Sequence, residues 1–405
     1  MSIFLFHRDF RIVDNLSLNV LPGPIHPIFI FTPEQVTPQN PYYNEKSIKF
    51  MIECLSAIPH IQCFYGDTIK VLESIFKSNS IKHLGFNLDY TPYAKERTKK
   101  VLSLAEKYNV SVIAREDYTV LDLAQYRDKG YYRVFKPFYE HLLTLKVPKP
   151  SFKPIEFSKD KLVSNYTLKM PKLNYNHRDE ALQILKRKFS DYENTRSIPS
   201  IETTHLSKYI KFGVVSMREV YHAYSKNKDL LRQVIWHDFY ASLMNFLPEE
   251  DTIGGGNFQH KKIVWKKSET KFQKWCEGKT GVPLIDAGMR QMNETGWMHN
   301  RVRLITSNYL AMVLGLDWKK GEKYFAQKLV DYDVASNNLN WQMSAQVGTD
   351  RNPFVRIYNP YIQSKKYDKD CIYIKKWVPE LKNVPPKQIH NWNEMYDESI
   401  YYKPI

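Results

Sequence analysis

The chain is poor in the features that mark several common classes of protein. Its four cysteines, Cys54, Cys63, Cys276 and Cys371, are scattered and never form a CxxC pair. That argues against a disulfide framework or a zinc site and predicts a reducing, intracellular compartment, with the cytoplasm the first expectation. No apolar run approaches the roughly 18 to 20 residues needed to cross a bilayer, so no membrane is expected. The N-terminal MSIFLFHRDF has no basic leader, and Arg8 and Asp9 interrupt its apolar stretch. It therefore reads as a first strand and not as a secretory signal. No HExxH or other ligand spacing occurs among the twelve histidines, and no metal is expected. The GKT at 278–280 lacks the upstream glycine of a P-loop, since Gln273 stands there, and the glycine run at 254–256 reads as a loop. No GxGxxG follows the first strand, so the dinucleotide fingerprint is missing from the N-terminal region. Tryptophan is absent from more than half of the chain: all eight lie at or after position 236.

What is present is a globular composition, 43% hydrophobic and 25% charged over 405 residues, enough for two domains. A net charge of +16 favours an anionic partner such as nucleic acid, although a lysine-rich source would give the same surplus. Short β-like runs at 2–6, 25–31, 61–65, 81–86 and 110–114 alternate with helical spacing at 45–58, 68–78 and 94–108. This alternation predicts an α/β domain over 1–125, a doubly wound, Rossmann-like parallel sheet. Prolines 137, 148, 150, 154 and 171 punctuate 126–175, which reads as an irregular linker. After Asn176 the pattern is predominantly helical to near Val378, predicting an all-α C-terminal domain over 176–405.

Four segments carry polar chemistry. In LVDYDVASNNLNWQM, Asp333, Asn337 and Trp341 follow at i, i+4 and i+8 and share one helical face, with Asp331 just upstream. In TGWMHNRVRLI, Trp297, Asn300 and Leu304 form a second stripe flanked by Arg301 and Arg303, and RQVIWHDFYASL aligns Gln233, Trp236 and Tyr240. Each stripe alone is what a capped or packed helix also gives. Three in one helical region point to a polar-lined ligand pocket. Thr203, Thr204 and Ser207 precede a helical run, an arrangement that suits a phosphate and equally an ordinary N-cap.

Taken in order, YENTR, TTHLSKYIKFG, IWHDFY, KTGVPLIDAGMRQMNETGWMHNRVR, DYDVASNNLNWQ and RIYNPYIQSKKYD resemble the cryptochrome/photolyase family. FHRDFRIVDNLSL and YYRVFKPFYEHL extend the likeness across the chain, and GWMHNRVR and NPYIQ resemble the class I cyclobutane pyrimidine dimer photolyases. The resemblance implies an FAD in the helical domain. Its phosphates would lie on Tyr192, Thr203, Thr204, His205, Leu206 and Ser207, and its ring on Trp297, Asn300, Arg303, Asp331, Asp333 and Asn337. Gln233 and His237 also match cofactor-contacting positions, and Trp341, Trp318 and Trp265 match a three-tryptophan electron relay.

The implied activity is light-driven electron transfer from reduced FAD to a flipped-out dimer in damaged DNA, by a monomer. Gln233, Trp236, Asn300 and Met343 match the lesion pocket, with Arg196, Tyr240, Arg356 and Gln363 near the DNA. Three positions depart from the class I pattern, which usually has Glu at Gln233, Trp at Met343 and Arg at His237. One alternative is a (6-4) photolyase, which Gln233 supports and which the missing histidine pair argues against, since those enzymes usually carry the pair where His299 is followed by Asn300. A signalling cryptochrome without repair is the other. A second antenna chromophore, folate or deazaflavin, is open, and the pairs Lys261, Lys262 and Lys375, Lys376 are too short for nuclear signals.

Overall fold

The computed structural model of the chain describes residues 1–127, 130–171, 173–253, 263–348 and 356–405. The glycine run at 254–256 and the pair Lys261, Lys262 lie outside the described residues. Two compact units are formed: Met1–Lys188 with His205–Leu247, and Phe189–Thr204 with Pro248–Ile405.

The first unit is built on a six-stranded sheet. Its strands are β1 (Ser2–Leu5), β2 (Ile25–Phe31), β3 (Gln62–Tyr65), β4 (His83–Leu88), β5 (Ser111–Glu116) and β6 (Thr167–Leu168). The order is β5-β4-β1-β2-β3-β6. The first five pair in parallel, with β1 between β2 and β4, as the alternation of strands and helices requires. β1 and β2 are buried along their whole length, because helices cover both faces of such a sheet. β6 pairs antiparallel with β3. It comes from the stretch expected to be irregular, as does the helix Phe135–Thr144, which buries Phe135, Phe138 and Leu142. The prolines there hid a short apolar stripe at helical spacing.

Within this unit the helix Met217–Tyr224 is pinned to the sheet by buried charge. Arg218 donates through Nε to Asp14 Oδ2 at 2.9 Å and through Nη2 to Asp117 Oδ1 at 2.5 Å. Arg11 closes the network on the other oxygen of Asp117, and Asn87 donates to Asp9 Oδ2 at 2.6 Å. Burial pushes the Asp117 carboxyl up against the pull of both guanidiniums, and lifts Asp9 to about 6. Each of these carboxylates is satisfied, which is the condition for holding charge in a core.

The second unit is helical. Its core gathers Trp275, Ile285, Met289, Val302, Leu310 and Trp341 from the helices Glu269–Glu277, Pro283–Thr295, Asn300–Asn308 and Val334–Ser344 and from the turn after Asn308. Gly321, on Trp318–Lys328, lets that helix approach the core closely: a Cβ there would lie 2.3 Å from Cη2 of Trp341. The helix Asn300–Asn308 runs on into a π turn at Tyr309–Val313. Asp286, wholly buried, accepts from Thr280 N, Thr280 Oγ1, Gly281 N and the hydroxyl of Tyr401. Burial lifts it to about 6 even so. Among the described residues no helix is long and apolar enough to cross a membrane, and no His, Cys, Asp and Glu cluster could hold a metal ion.

Candidate active site

The helices Asn300–Asn308 and Val334–Ser344 turn polar faces toward one cavity of about 130 Å³. The sequence spacing decides which residues line it. Asn300, Arg303, Leu304 and Ser307 recur at three to four residues on one helix, and Asp333, Ser336, Asn337, Asn340, Trp341 and Ser344 on the other. Asp331 and Tyr332 enter from the segment before the second helix, and Phe325 and Leu329 supply apolar surface. Ser307 Oγ donates to Ser344 Oγ at 2.9 Å and ties the two faces together.

The cavity is lined by groups whose orientation is fixed from behind. Arg303 donates through Nη2 to both oxygens of Asp331, at 3.1 and 2.8 Å, and through Nε to the Met298 carbonyl at 2.7 Å. Asn337 donates through Nδ2 to Glu322 Oε1 at 3.0 Å and to the Glu322 carbonyl at 3.3 Å. Glu322 is buried and takes a bond from Tyr332 Oη at 3.3 Å as well. With its N–H groups so committed, Asn337 keeps an Oδ1 that has no partner among the described residues. Asp333 caps its helix by accepting from Ser336 N at 2.9 Å. Trp341 Nε1 is buried without a partner among the described residues. Its ring meets Phe325 edge-on at 4.9 Å and Trp275 at 6.1 Å between centroids.

An isoalloxazine fits this donor set. It is flat, so Phe325, Leu329 and Trp341 can cover it, and its edge carries acceptors and an N–H that match Arg303 and the open carbonyl of Asn337.

Of the candidate residues, the structure brings Asn300, Arg303, Asp331, Asp333, Asn337 and Trp341 together in this cavity. Trp297 does not line it, nor does Met343, which is half-buried on the second helix. Tyr192, Arg196, Thr203 and Thr204 lie in the Phe189–Thr204 segment of the same unit. Arg356 is exposed and Gln363 half-buried. His205, Leu206 and Ser207 belong to the first unit, where His205 has a left-handed φ of 50° and Leu206 is buried ahead of the short helix Ser207–Lys211. Gln233, Trp236, His237 and Tyr240 sit on the first unit's helix Lys228–Phe246. There Trp236 stacks on Phe135 at 3.6 Å, His237 Nδ1 meets Asp238 Oδ1 at 2.9 Å, and Gln233 donates to the Asp229 carbonyl at 3.4 Å.

Trp318 is buried and Trp265 half-buried in the second unit's core, and among the described residues neither makes a ring contact with another tryptophan. Glu322, Trp275 and Phe325 were missed by sequence reasoning. Glu322 and Phe325 lie on the helix Trp318–Lys328, which offers only alternation of charge and apolar residues, and no spacing ties either to Asn337 or Trp341.

Comparison with known proteins gives the family. Residues 230–403 match the family model for the FAD binding domain of DNA photolyase, and residues 2–154 match that for DNA photolyase. A deoxyribodipyrimidine photo-lyase of Buchnera aphidicola is 32% identical, covering 99% of this chain and 92% of its own length. One from Vibrio cholerae is 30% identical over 99% of this chain and 95% of its own. Among solved structures, an archaeal photolyase from Sulfolobus tokodaii with two FAD molecules superposes with a TM-score of 0.88 at 33% identity, covering 100% of this chain and 96% of that one. A Synechocystis cryptochrome superposes at 0.85 with 22% identity, covering 100% and 96%, a likeness of fold alone.

Proposed function

This chain belongs to the DNA photolyase family, and we propose that it is a light-dependent, FAD-containing deoxyribodipyrimidine photo-lyase that acts on cyclobutane dimers. The observation that carries the reading is the Asn337 side chain, oriented by Glu322 and lining a cavity between two polar helical faces. Bound FAD supplies light absorption and electron transfer; the chain supplies everything else. Arg303 places a fixed cation beside the cavity, held by Nη2 on both oxygens of Asp331 and by Nε on the Met298 carbonyl. Asn337 offers an oriented acceptor, and Phe325, Leu329 and Trp341 exclude water. The surplus of +16 suits sequence-independent contact with phosphates, and a lesion must leave the stack to be read.

Gln233, Trp236, Asn300 and Met343 are the residues we assign to the flipped lesion, with Arg196, Tyr240, Arg356 and Gln363 toward the DNA. Gln233 keeps hydrogen bonding where a charge is usual, and Met343 keeps apolar contact without a flat face. His299 argues against (6-4) repair. It is buried and spends Nδ1 as the cap of its helix, accepting from Arg301 N at 3.1 Å, and Asn300 follows it. Trp341, Trp318 and Trp265 are the proposed relay, with Tyr192 and the 203–207 stretch on the FAD phosphates and Trp297 and His237 beside the cofactor. We read the protein as an intracellular monomer, and a second chromophore would sit in the sheet unit. The test is repair of defined cyclobutane and (6-4) thymine dimers by the purified, photoreduced chain. Restored thymines only from the cyclobutane substrate and only under blue light support the reading. Repair of neither, with FAD bound, moves the protein to the photoreceptors.

A further inference from the structure

We propose that Asn308 is a positioning residue that fastens the DNA-facing segment at Arg356 to the wall of the flavin cavity. The inference rests on the function proposed above. Asn308 ends the helix Asn300–Asn308 and is 1% exposed. Its Nδ2 donates to the Ser344 carbonyl at 2.9 Å and to the Arg356 carbonyl at 3.1 Å, while its Oδ1 accepts from Tyr358 N at 2.8 Å. One buried amide thus uses both N–H groups and its carbonyl on main-chain atoms at the two ends of the stretch between Ser344 and Tyr358. Arg356 and Tyr358 lie in no helix or strand, so this side chain does for them what ladder bonds do elsewhere.

Two further observations give the clamp a direction. At one end it grips the cavity wall, because Ser344 lines the cavity and bonds Ser307, the neighbour of Asn308. At the other it holds the backbone of an exposed arginine. Gln346, at a left-handed φ of 60°, adds a second bond to the same Arg356 carbonyl at 2.8 Å. The helix then passes into the π turn Tyr309–Val313, a distortion that tends to occur at functional sites. Fixing the backbone of Arg356 before binding spares the ordering cost of a cation meant for a phosphate.

The test measures affinity for an oligonucleotide carrying one cyclobutane dimer, FAD content, and repair per absorbed photon at saturating DNA. Asn308→Ala is expected to bind the dimer DNA about tenfold more weakly, the loss of roughly one well-made hydrogen bond. FAD content and repair per photon should stay at the wild-type value, an outcome that general loosening of the fold does not give. Asn308→Asp should bind more weakly still, because a carboxylate would face two carbonyl oxygens. Gln346→Gly keeps the left-handed backbone and removes only the second bond, so it should lose about two- to threefold and serves if the Asn308 variants do not fold. Wild-type affinity in folded Asn308→Ala, or in Gln346→Gly where it alone folds, overturns the proposal. So does a loss that merely tracks lost FAD. A wild-type chain that binds no dimer DNA instead removes the function on which the proposal rests.

Discussion

Two polar clusters, one in each unit, are built in different ways. In the sheet unit the carboxylates of Asp14 and Asp117 are taken up by Arg11, Arg218 and neighbouring donors, at distances such as 2.9 Å from Arg218 Nε to Asp14, and of the two guanidiniums only Arg11 Nε is buried without a partner among the described residues. Around the cavity of the helical unit, comparable groups are fixed on one side and left open on the other. Asn337 is held by Glu322 yet keeps a carbonyl oxygen that no described residue bonds, and Trp341 buries an N–H with no partner among the described residues. A network that closes on itself is scaffold. One that is satisfied from behind and open in front is a site awaiting a ligand.

The largest effect that would break this comparison falls in the sheet unit. Arg218→Ala takes the shared guanidinium from two buried carboxylates, leaving Asp14 with no cation, and should cost about 3–5 kcal/mol of stability, read as a drop in the denaturation midpoint. A midpoint within error of wild type would show that the network is not scaffold.

The next effect is smaller and depends on pH. Asp286 sits at about 6 in the folded chain because burial outweighs its four donors, against an ordinary 3.8. A carboxyl raised on folding gives stability that is complete below the unfolded value and lost as pH rises through the folded one. Between about pH 4 and 6 its contribution therefore falls, on the order of 3 kcal/mol in all. Asp286→Asn should remove that slope from the difference in stability between variant and wild type. An unchanged slope contradicts the assignment.

The smallest effect sharpens the picture of the cavity wall. Gly321→Ala drives a methyl to 2.3 Å from Trp341 and should cost about 1–3 kcal/mol by overpacking. It should also move the tryptophan fluorescence, which a change remote from the indole would leave alone.

How much of this was legible beforehand differs between the units in the same way. The five parallel strands follow from short apolar runs separated by helical spacing, and all five fall within about two residues of where alternation puts them. The face shared by Asp333, Asn337 and Trp341 is a local, i and i+4 signal, and the structure keeps it. What escaped was non-local. Arg218 meets Asp14 across 204 positions, and β6 pairs with β3 only because the chain folds back. Glu322 escaped for the same reason, since its bond to Asn337 spans 15 residues and two helices. The family likeness supplied cofactor and chemistry, neither of which spacing alone contains.

The most direct measurement is the rate of blue-light repair of a cyclobutane thymine dimer by the full chain and by its Arg303→Ala/Asn337→Ala double variant, with FAD in excess. The account predicts repair by the wild type and none by a folded double variant. Repair at the wild-type rate by the variant would contradict the assignment of this cavity.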